Sequence, residues 1–132
     1  MSAYSEFQIK DFKDRELLIA ALTAMGYSPA FNARLSDHWN EYRGNAPTVD
    51  ILIPKGQLRG TYDDVGFKRN ADGTISAIIS DFDSYKHNAQ WLTKLKVAYA
   101  EKGLIRQGAK QGLRFAGKQL VGKKMQLLFT KA

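Results

Sequence analysis

The chain has 132 residues, of which 44% are hydrophobic and 25% are charged, and its formal net charge is +7. This composition excludes a disordered or collagen-like chain, and the length is sufficient for one domain with a sizeable core. Because the sequence contains no cysteine, thiol catalysis, disulfide bonds and cysteine-ligated metal sites are excluded. We therefore predict a single domain over residues 1–132 that folds without a disulfide or a metal.

The sequence also indicates where the protein is found. No apolar run is long enough to span a membrane, and Glu6 falls where a signal peptide would have its apolar segment. The cysteine-free composition suits a reducing compartment. We therefore expect a cytoplasmic protein with no membrane partner.

The N-terminal part of the chain predicts a strand followed by an amphipathic helix. Residues 7–10 alternate between apolar and polar side chains, as in a short strand. Apolar residues then recur at helical spacing, which predicts a helix over about residues 14–25. Asp14 can cap the start of this helix, and Gly26 can end it.

A weak pattern within residues 27–34 predicts a strand, and residues 35–47 then form a polar loop. This loop contains Trp39, Tyr42 and Arg43, a combination that is common among the anchors of protein interfaces. An equally weighted interpretation has Trp39 or Tyr42 folded back over one end of the core. The sequence leaves both interpretations open.

The middle of the chain predicts three further strands. Residues 49–53 alternate and end at Pro54, which is typical of a half-buried strand. Residues 65–69 and 74–80 also alternate, and between them stands Asp72-Gly73. This dipeptide predicts a tight turn, so the two runs form a hairpin.

A second helix is predicted to begin after Asn88, with an apolar side between Trp91 and Tyr99. If this helix continued without a break, three cations would rotate onto its apolar side: Lys102, Arg106 and Lys110. We therefore predict a break near Gly103 and a short second helical piece over residues 104–111.

The chain closes with two predicted strands. Leu113 and Phe115 mark one strand, Leu127 and Phe129 mark the other, and the glycine- and lysine-rich turn 117–124 joins them. Hairpins rather than crossover units connect the strands throughout. The predicted fold class is therefore α+β, with two layers, in which a mostly antiparallel sheet carries two main helices on one face.

The charge of the chain is unevenly distributed. Residues 1–91 contain ten Lys and Arg against twelve Asp and Glu, a net charge of −2, whereas residues 92–132 contain ten against one, a net charge of +9. Such clustering costs self-repulsion and therefore indicates an anionic partner, although a merely solubilising surface is the alternative. The candidate anion-binding residues are Arg106, Lys110, Arg114, Lys118, Lys123 and Lys124.

The anionic partner is predicted to be nucleic acid or an acidic protein. Phe115 and Phe129 lie near basic residues in the sequence, which is compatible with stacking on single-stranded nucleic acid. Aromatic residues on strands beneath helices are more often part of the core. We therefore favour a non-enzymatic binding or adaptor module without choosing between the two partners.

Two other functions compete with this interpretation. One is a small enzyme or ligand-binding protein with a polar pocket formed by Arg43, Asp64, Asn70 and Asp81. The other is a structural subunit of a larger assembly. A homo-oligomer is a further alternative, because an antiparallel sheet with helices on one side leaves its other face for water or another chain.

Neither a metal site nor a catalytic site is predicted. Six residues could in principle bind a hard metal ion, namely His38, Asp63, Asp64, Asp81, Asp83 and His87. Their spacing matches no ligand template, so we expect the aspartates to cap turns and helices, and His87 to be a helix-start residue. No nucleophile with a base, phosphate loop or dinucleotide fingerprint is present, and we predict no cofactor.

Four segments occur in a characteristic order, namely Asp14-Arg15-Glu16-Leu17-Leu18, Tyr42-Arg43-Gly44-Asn45, Tyr62-Asp63-Asp64-Val65-Gly66-Phe67 and Arg69-Asn70-Ala71-Asp72-Gly73. In this order the chain resembles the hypothetical chloroplast reading frame thirty-five family, which consists of small cyanobacterial, plastid and bacterial proteins. The resemblance covers most of the chain and is most specific over residues 62–73.

The chain departs from that family in its loops. Tyr42 precedes Arg43 where relatives have the arginine-glycine-aromatic order, and residues 54–61 form a longer insertion. The resemblance implies an α+β domain and a cytoplasmic setting, or a stromal or phage-infected-cell one. It implies no reaction.

Overall fold

The computed structural model describes residues 4–36, 43, 45–57, 63–83 and 86–132. In this part of the chain, the α-helices and strands in chain order are β1 (Tyr4–Ile9), α1 (Arg15–Ala24), β2 (Ala30–Arg34), β3 (Thr48–Ile53), β4 (Val65–Arg69), β5 (Ile75–Ser80), α2 (Ala89–Lys110), β6 (Leu113–Val121) and β7 (Lys124–Lys131). Short 3-10 helices follow β3 (Lys55–Gln57) and β5 (Asp81–Asp83). None of the described helices combines the length and the apolar character that crossing a membrane requires.

The described strands form two separate sheets. The first contains five strands in the order β1-β5-β4-β3-β2, and every neighbouring pair is antiparallel. The second contains only β6 and β7, which are also antiparallel. These sheets and the two helices confirm the predicted α+β fold class.

The two helices pack on one face of the five-stranded sheet. Leu18 and Leu22 of α1 and Leu95 of α2 are fully buried in one cluster with sheet residues such as Ile51 and Phe67. Burial of these side chains supplies the main hydrophobic contribution to folding, about 1.5–3 kcal/mol for each large side chain.

The opposite face of the sheet is partly covered by the chain itself. Leu52 pairs with Gly66 and Gly66 with Ile78, which places these positions on the face opposite to Phe67. Leu35 and Ala46, from the two ends of the predicted polar loop, are buried against Leu52 and Ile78. A second, smaller core therefore lies on this face.

The predicted ends of α1 and the turn of the β4–β5 hairpin are confirmed. The Asp14 carboxylate accepts hydrogen bonds from the backbone N–H groups of Glu16 and Leu17, at 3.0 and 3.1 Å. In the β4–β5 turn, Gly73 has φ +86°, a left-handed conformation that glycine adopts without strain. Asp72 accepts a hydrogen bond from the Thr74 N–H at 3.0 Å, which stabilises the same turn.

The predicted break in the second helix is wrong. Helix α2 runs continuously from Ala89 to Lys110 and contains Gly103 and the segment 104–110. The prediction assumed that one partner surface covers the whole helix. Instead, the N-terminal half of α2 packs on the five-stranded sheet and the C-terminal half packs on the β6–β7 hairpin, with Gly108 buried against Phe129. The apolar side therefore shifts around the helix without a break.

The predicted turn between the last two strands is too long. Residues 117–121 belong to β6, and Gly122 with Lys123 forms the connection to β7. Gly117 has φ +149° and lies where the β6–β7 register shifts by one residue. Its glycine character therefore serves a bulge within the hairpin rather than the turn.

Substitution of two glycines in α2 tests the continuous helix. Gly103→Ala is expected to raise the free energy of unfolding by about 0.5–1 kcal/mol, because alanine favours a helix interior and the new Cβ would lie 3.6 Å from Leu17. Gly108→Ala is expected to lower it by about 1 kcal/mol, because its Cβ would lie 2.8 Å from the Phe129 ring. Urea unfolding measures both values, and equal stabilisation by the two variants would contradict this packing.

Candidate functional site

The basic residues are concentrated on the C-terminal arm, which we define as residues 92–132, most of α2 together with the β6–β7 hairpin. The side chains of all six predicted anion-binding residues are exposed to solvent. Lys123 and Lys124 lie at the hairpin tip, whereas Lys110 and Arg114 lie where α2 ends and β6 begins. These two groups stand about 20 Å apart along the strands.

Two of the six predicted cations have acidic partners within the domain. The Arg106 guanidinium lies 2.8 Å from the Asp14 carboxylate, and the Lys118 ammonium lies 3.2 Å from Glu101. The other four, Lys110, Arg114, Lys123 and Lys124, form no ion pair with a described residue. These four are the cations of the set that remain available to an external anion.

The Asp14–Arg106 pair joins the start of α1 to the C-terminal half of α2. The Arg106 hydrogen bond and the backbone N–H groups of Leu17 and Glu16 hold the pKa of Asp14 below its usual value. Capping of α1 is therefore expected to be the larger contribution of Asp14 to stability, because exposed ion pairs contribute little.

Substitutions at this pair separate the two roles. Asp14→Ala is expected to lower the free energy of unfolding by about 1 kcal/mol, because it removes the N-cap. Asp14→Asn and Arg106→Gln are each expected to lower it by about 0.5 kcal/mol or less, because asparagine still caps and the pair is exposed. Thermal unfolding of the three variants compares these losses, and an equal loss in all three would contradict the capping role.

One face of the β6–β7 hairpin packs on α2. The rings of Phe115 and Phe129 lie on this face with their centroids 6.0 Å apart, and both side chains are half-buried. Gly108 gives Phe129 the space to approach the helix axis. The rings therefore belong to a small core within the arm rather than to an exposed stacking surface.

Beyond this small core, an apolar groove remains open between α2 and the hairpin. This α2–hairpin groove has a volume of about 190 Å³ and is lined by Val97, Ala100, Glu101, Leu104, Met125 and Leu127. The exposed fractions are 50% for Val97, 53% for Leu104, 48% for Met125 and 67% for the neighbouring Leu120. Adjacent large apolar side chains that stay half exposed are typical of interaction surfaces.

Of the predicted interface loop, Trp39 and Tyr42 lie outside the described residues. Arg43 is exposed and has φ +51°. Asp64 connects two segments of the backbone, because its carboxylate accepts hydrogen bonds from the N–H groups of Ser36 and Lys55, each at 3.0 Å.

Asn70 and Asp81 lie at opposite ends of β5. Asn70 donates to the hydroxyl oxygens of Thr74 and Ser76, at 3.2 and 2.8 Å, whereas Asp81 accepts a hydrogen bond from Ser5 near the other end of the strand. A strand of this length separates them by about 20 Å. The structure therefore does not bring these two predicted pocket residues together.

A different polar groove lies beside Asn70. It has a volume of about 370 Å³ and is lined by Glu6, Gln8, Asn70 and Ser76. The amide nitrogen of Gln8 donates to Asp72 and Thr74, at 3.1 and 3.0 Å. The groove is open, and the internal hydrogen bonds already occupy its side-chain amide donors.

Sequence reasoning missed a buried polar centre formed by Asp63, Asp83 and His87. Both aspartates are fully buried, and Asp83 accepts a hydrogen bond from the Asp63 N–H at 3.0 Å. Among the residues that the structure describes, neither carboxylate oxygen of Asp63 has a hydrogen-bond partner, and neither does Nδ1 of His87. A buried polar group without a partner costs free energy, so this centre is an energetic weak point of the fold.

Metal ligation does not account for this centre in the described part of the chain. There, no three histidine, cysteine or acidic side chains come close enough to share one ion. His87 instead packs edge-on against Trp91, with the ring centroids 4.7 Å apart. Each of the three polar residues stands next to the end of a strand or helix, where the sequence alone predicts a cap. Only their burial distinguishes them from ordinary caps.

Burial lowers the pKa of His87 below its usual value of 6.5, and Lys86 acts in the same direction, whereas Asp83 opposes the shift. Folding therefore favours the neutral imidazole. The unfolded chain binds a proton near pH 6.5, whereas the folded chain binds it only at lower pH. Between these two pKa values the unfolded state binds more protons than the folded state. The contribution of His87 to the free energy of unfolding is therefore fully present above about pH 6.5 and falls as the pH decreases below it.

Replacement of His87 tests this linkage. As the pH is lowered from about 6.5 to 5, the free energy of unfolding of the native chain is expected to fall. In the His87→Gln variant, most of this fall is expected to be absent. Urea unfolding at several pH values gives both curves. If the two chains show the same slope in this range, His87 is not the group responsible.

The sequence match to known families covers residues 21–124. This segment runs from α1 to the tip of the β6–β7 hairpin and includes the buried polar centre. The chain belongs to the DUF1257 family, described as proteins of unknown function. No curated protein and no solved structure matches the chain significantly. Membership of the DUF1257 family assigns no reaction or partner, so a functional interpretation depends on the surfaces described above.

Proposed function

We propose that this DUF1257 protein is a non-enzymatic binding module whose C-terminal arm binds an anionic macromolecule. One observation carries the proposal: a net charge of +9 lies on residues 92–132, against −2 on the rest of the chain. Four of its exposed cations have no acidic partner among the described residues. A surface that keeps this self-repulsion is well suited to attract an anion.

The alternative of an enzyme or ligand-binding pocket receives less support. Its predicted residues include Asn70 and Asp81, which lie at opposite ends of β5, and Asp64, whose carboxylate already accepts two backbone N–H groups. A structural subunit of a larger assembly would also use the arm as an interface. We therefore favour the binding module, because it needs neither a preformed polar pocket nor a larger assembly.

The proposed setting follows from the resemblance rather than from the fold. We place the protein in the cytoplasm, in the stroma if it is plastid-encoded, or in the host cytoplasm if it is phage-encoded. The ordered segments that resemble the hypothetical chloroplast reading frame thirty-five family support this setting. That resemblance adds no reaction to the proposed binding role.

Charge reversal at the hairpin tip tests the proposed function. Fluorescence anisotropy measures binding of labelled RNA, DNA and polyglutamate at low and moderate salt. Lys123→Glu with Lys124→Glu is expected to weaken binding of the preferred probe by at least about tenfold, because attraction becomes repulsion at two exposed positions. The salt dependence is also expected to become shallower, since fewer counterions are released.

A matched variant controls for the change in net charge. Lys10→Glu with Lys68→Glu changes the charge by the same amount at two exposed positions outside the arm, and we expect it to retain most of the affinity. Equal weakening by both double variants would mean that only net charge matters. That result, or the absence of binding to every anionic probe, would overturn the proposal.

A further inference from the structure

We propose that the α2–hairpin groove binds an acidic, amphipathic segment of another protein. This inference rests on the proposed function and names the class of its partner. The groove supplies the apolar part of the recognition, and the cations around it supply the charged part. Both features are needed, because neither feature alone distinguishes a protein segment from other anions.

The apolar part of the groove is formed by aliphatic side chains from two elements. Val97 and Leu104 are two helical turns apart on α2, and Met125 and Leu127 follow one another on the same face of β7. About half of the surface of Val97, Leu104 and Met125 is exposed. An apolar strip on the partner would remove this surface from water, which contributes about 25 cal/mol for each Å² buried.

Basic side chains border this apolar surface. Lys96 lines the neighbouring groove on α2 together with Val97, and Asp11 is the acidic residue of that lining. Lys123 lies in the hairpin turn, two residues before Met125, whereas Lys124 lies on the opposite face of β7. Glu101, the acidic residue within the groove lining, is paired with Lys118 at 3.2 Å. Lys96 and Lys123 against Asp11 leave this border with a net positive charge, and a partner with carboxylates flanking its apolar residues is complementary to it.

The same charge argues against a second copy of this chain as the occupant. Two copies that met through the same groove would bring together two arms, each with a net charge of +9. Such a symmetric interface places like charges opposite each other, which costs free energy. A partner of opposite charge avoids this repulsion.

The lining of the groove also favours a protein over a nucleic acid. Bases stack on aromatic rings or arginine planes, but the lining contains valine, leucine, methionine and alanine. The nearby rings of Phe115 and Phe129 are half-buried within the arm. A nucleic acid would contact the cations through its phosphates and leave the apolar groove exposed.

Three synthetic peptides test the inference against the intact protein. The first carries leucines at positions i, i+3, i+4 and i+7 of a helix, with glutamates elsewhere. The second has the same composition in a scrambled order, and the third has glutamine in place of each glutamate. The acidic amphipathic peptide is expected to bind at least about tenfold more tightly than either of the others in a fluorescence anisotropy titration.

Groove variants then locate the site. Val97→Thr together with Leu104→Gln keeps side-chain size and helix propensity almost unchanged at two half-exposed positions. We expect this variant to bind the acidic amphipathic peptide about tenfold more weakly and polyglutamate unchanged. Leu128→Gln is the matched control, because Leu128 is 41% exposed on the opposite face of β7 and its loss should leave peptide binding intact.

The outcomes separate the inference from the proposed function. Equal binding of the ordered and scrambled acidic peptides would overturn the groove inference while leaving the basic arm as an anion-binding surface. Equal binding of the acidic and glutamine peptides would overturn it as well. So would a protein that binds RNA more tightly than the acidic amphipathic peptide and whose RNA affinity the groove variant leaves unchanged. If neither acidic peptide nor nucleic acid nor polyglutamate binds, both the inference and the proposed function fail.

Discussion

The approach of Phe129 to Gly108 is the contact on which the C-terminal arm depends. A two-stranded hairpin is at best marginally stable alone in water, so β6 and β7 require a surface to pack against. Helix α2 offers that surface because Gly108 has no side chain where the Phe129 ring lies, and a Cβ there would be only 2.8 Å from the ring. The hairpin, the groove beside it and the positions of the arm's cations all follow from this packing.

The five-stranded sheet and its helices depend on a different interaction, the burial of apolar side chains on both faces of the sheet, in two cores of unequal size. The larger core joins α1, the start of α2 and one sheet face, and the smaller one uses Leu35 and Ala46 on the other face. At one end of this sheet, Asp63, Asp83 and His87 are buried, and polar atoms of Asp63 and His87 have no partner in the described part of the chain. The fold tolerates this cost because surrounding apolar burial is much larger.

The two halves of the molecule differ in charge as well as in packing. The sheet half is nearly neutral and holds most of the buried surface, whereas the arm is strongly basic and keeps large apolar side chains exposed. A stable body with a cationic, partly apolar extension is the arrangement expected of a recognition module. The binding role that we propose depends on this surface chemistry.

The sequence by itself determined the local structure of this protein. Local signals depend on a few neighbouring residues, as in the spacing of apolar residues, the Asp14 cap and the Asp72-Gly73 turn. The strands, the first helix and the hairpin were therefore predictable. The excess of positive charge near the C terminus was predictable as well. Only the tertiary structure decided that α2 passes through Gly103 unbroken, that β6 and β7 stand apart from the main sheet, and that Asn70 and Asp81 are separated. It alone also decided that His87 is buried and that Leu104 stays exposed. The reason is that periodicity shows which side of an element is apolar, whereas the partner of that side, and whether any partner covers it, depends on residues far away in the chain.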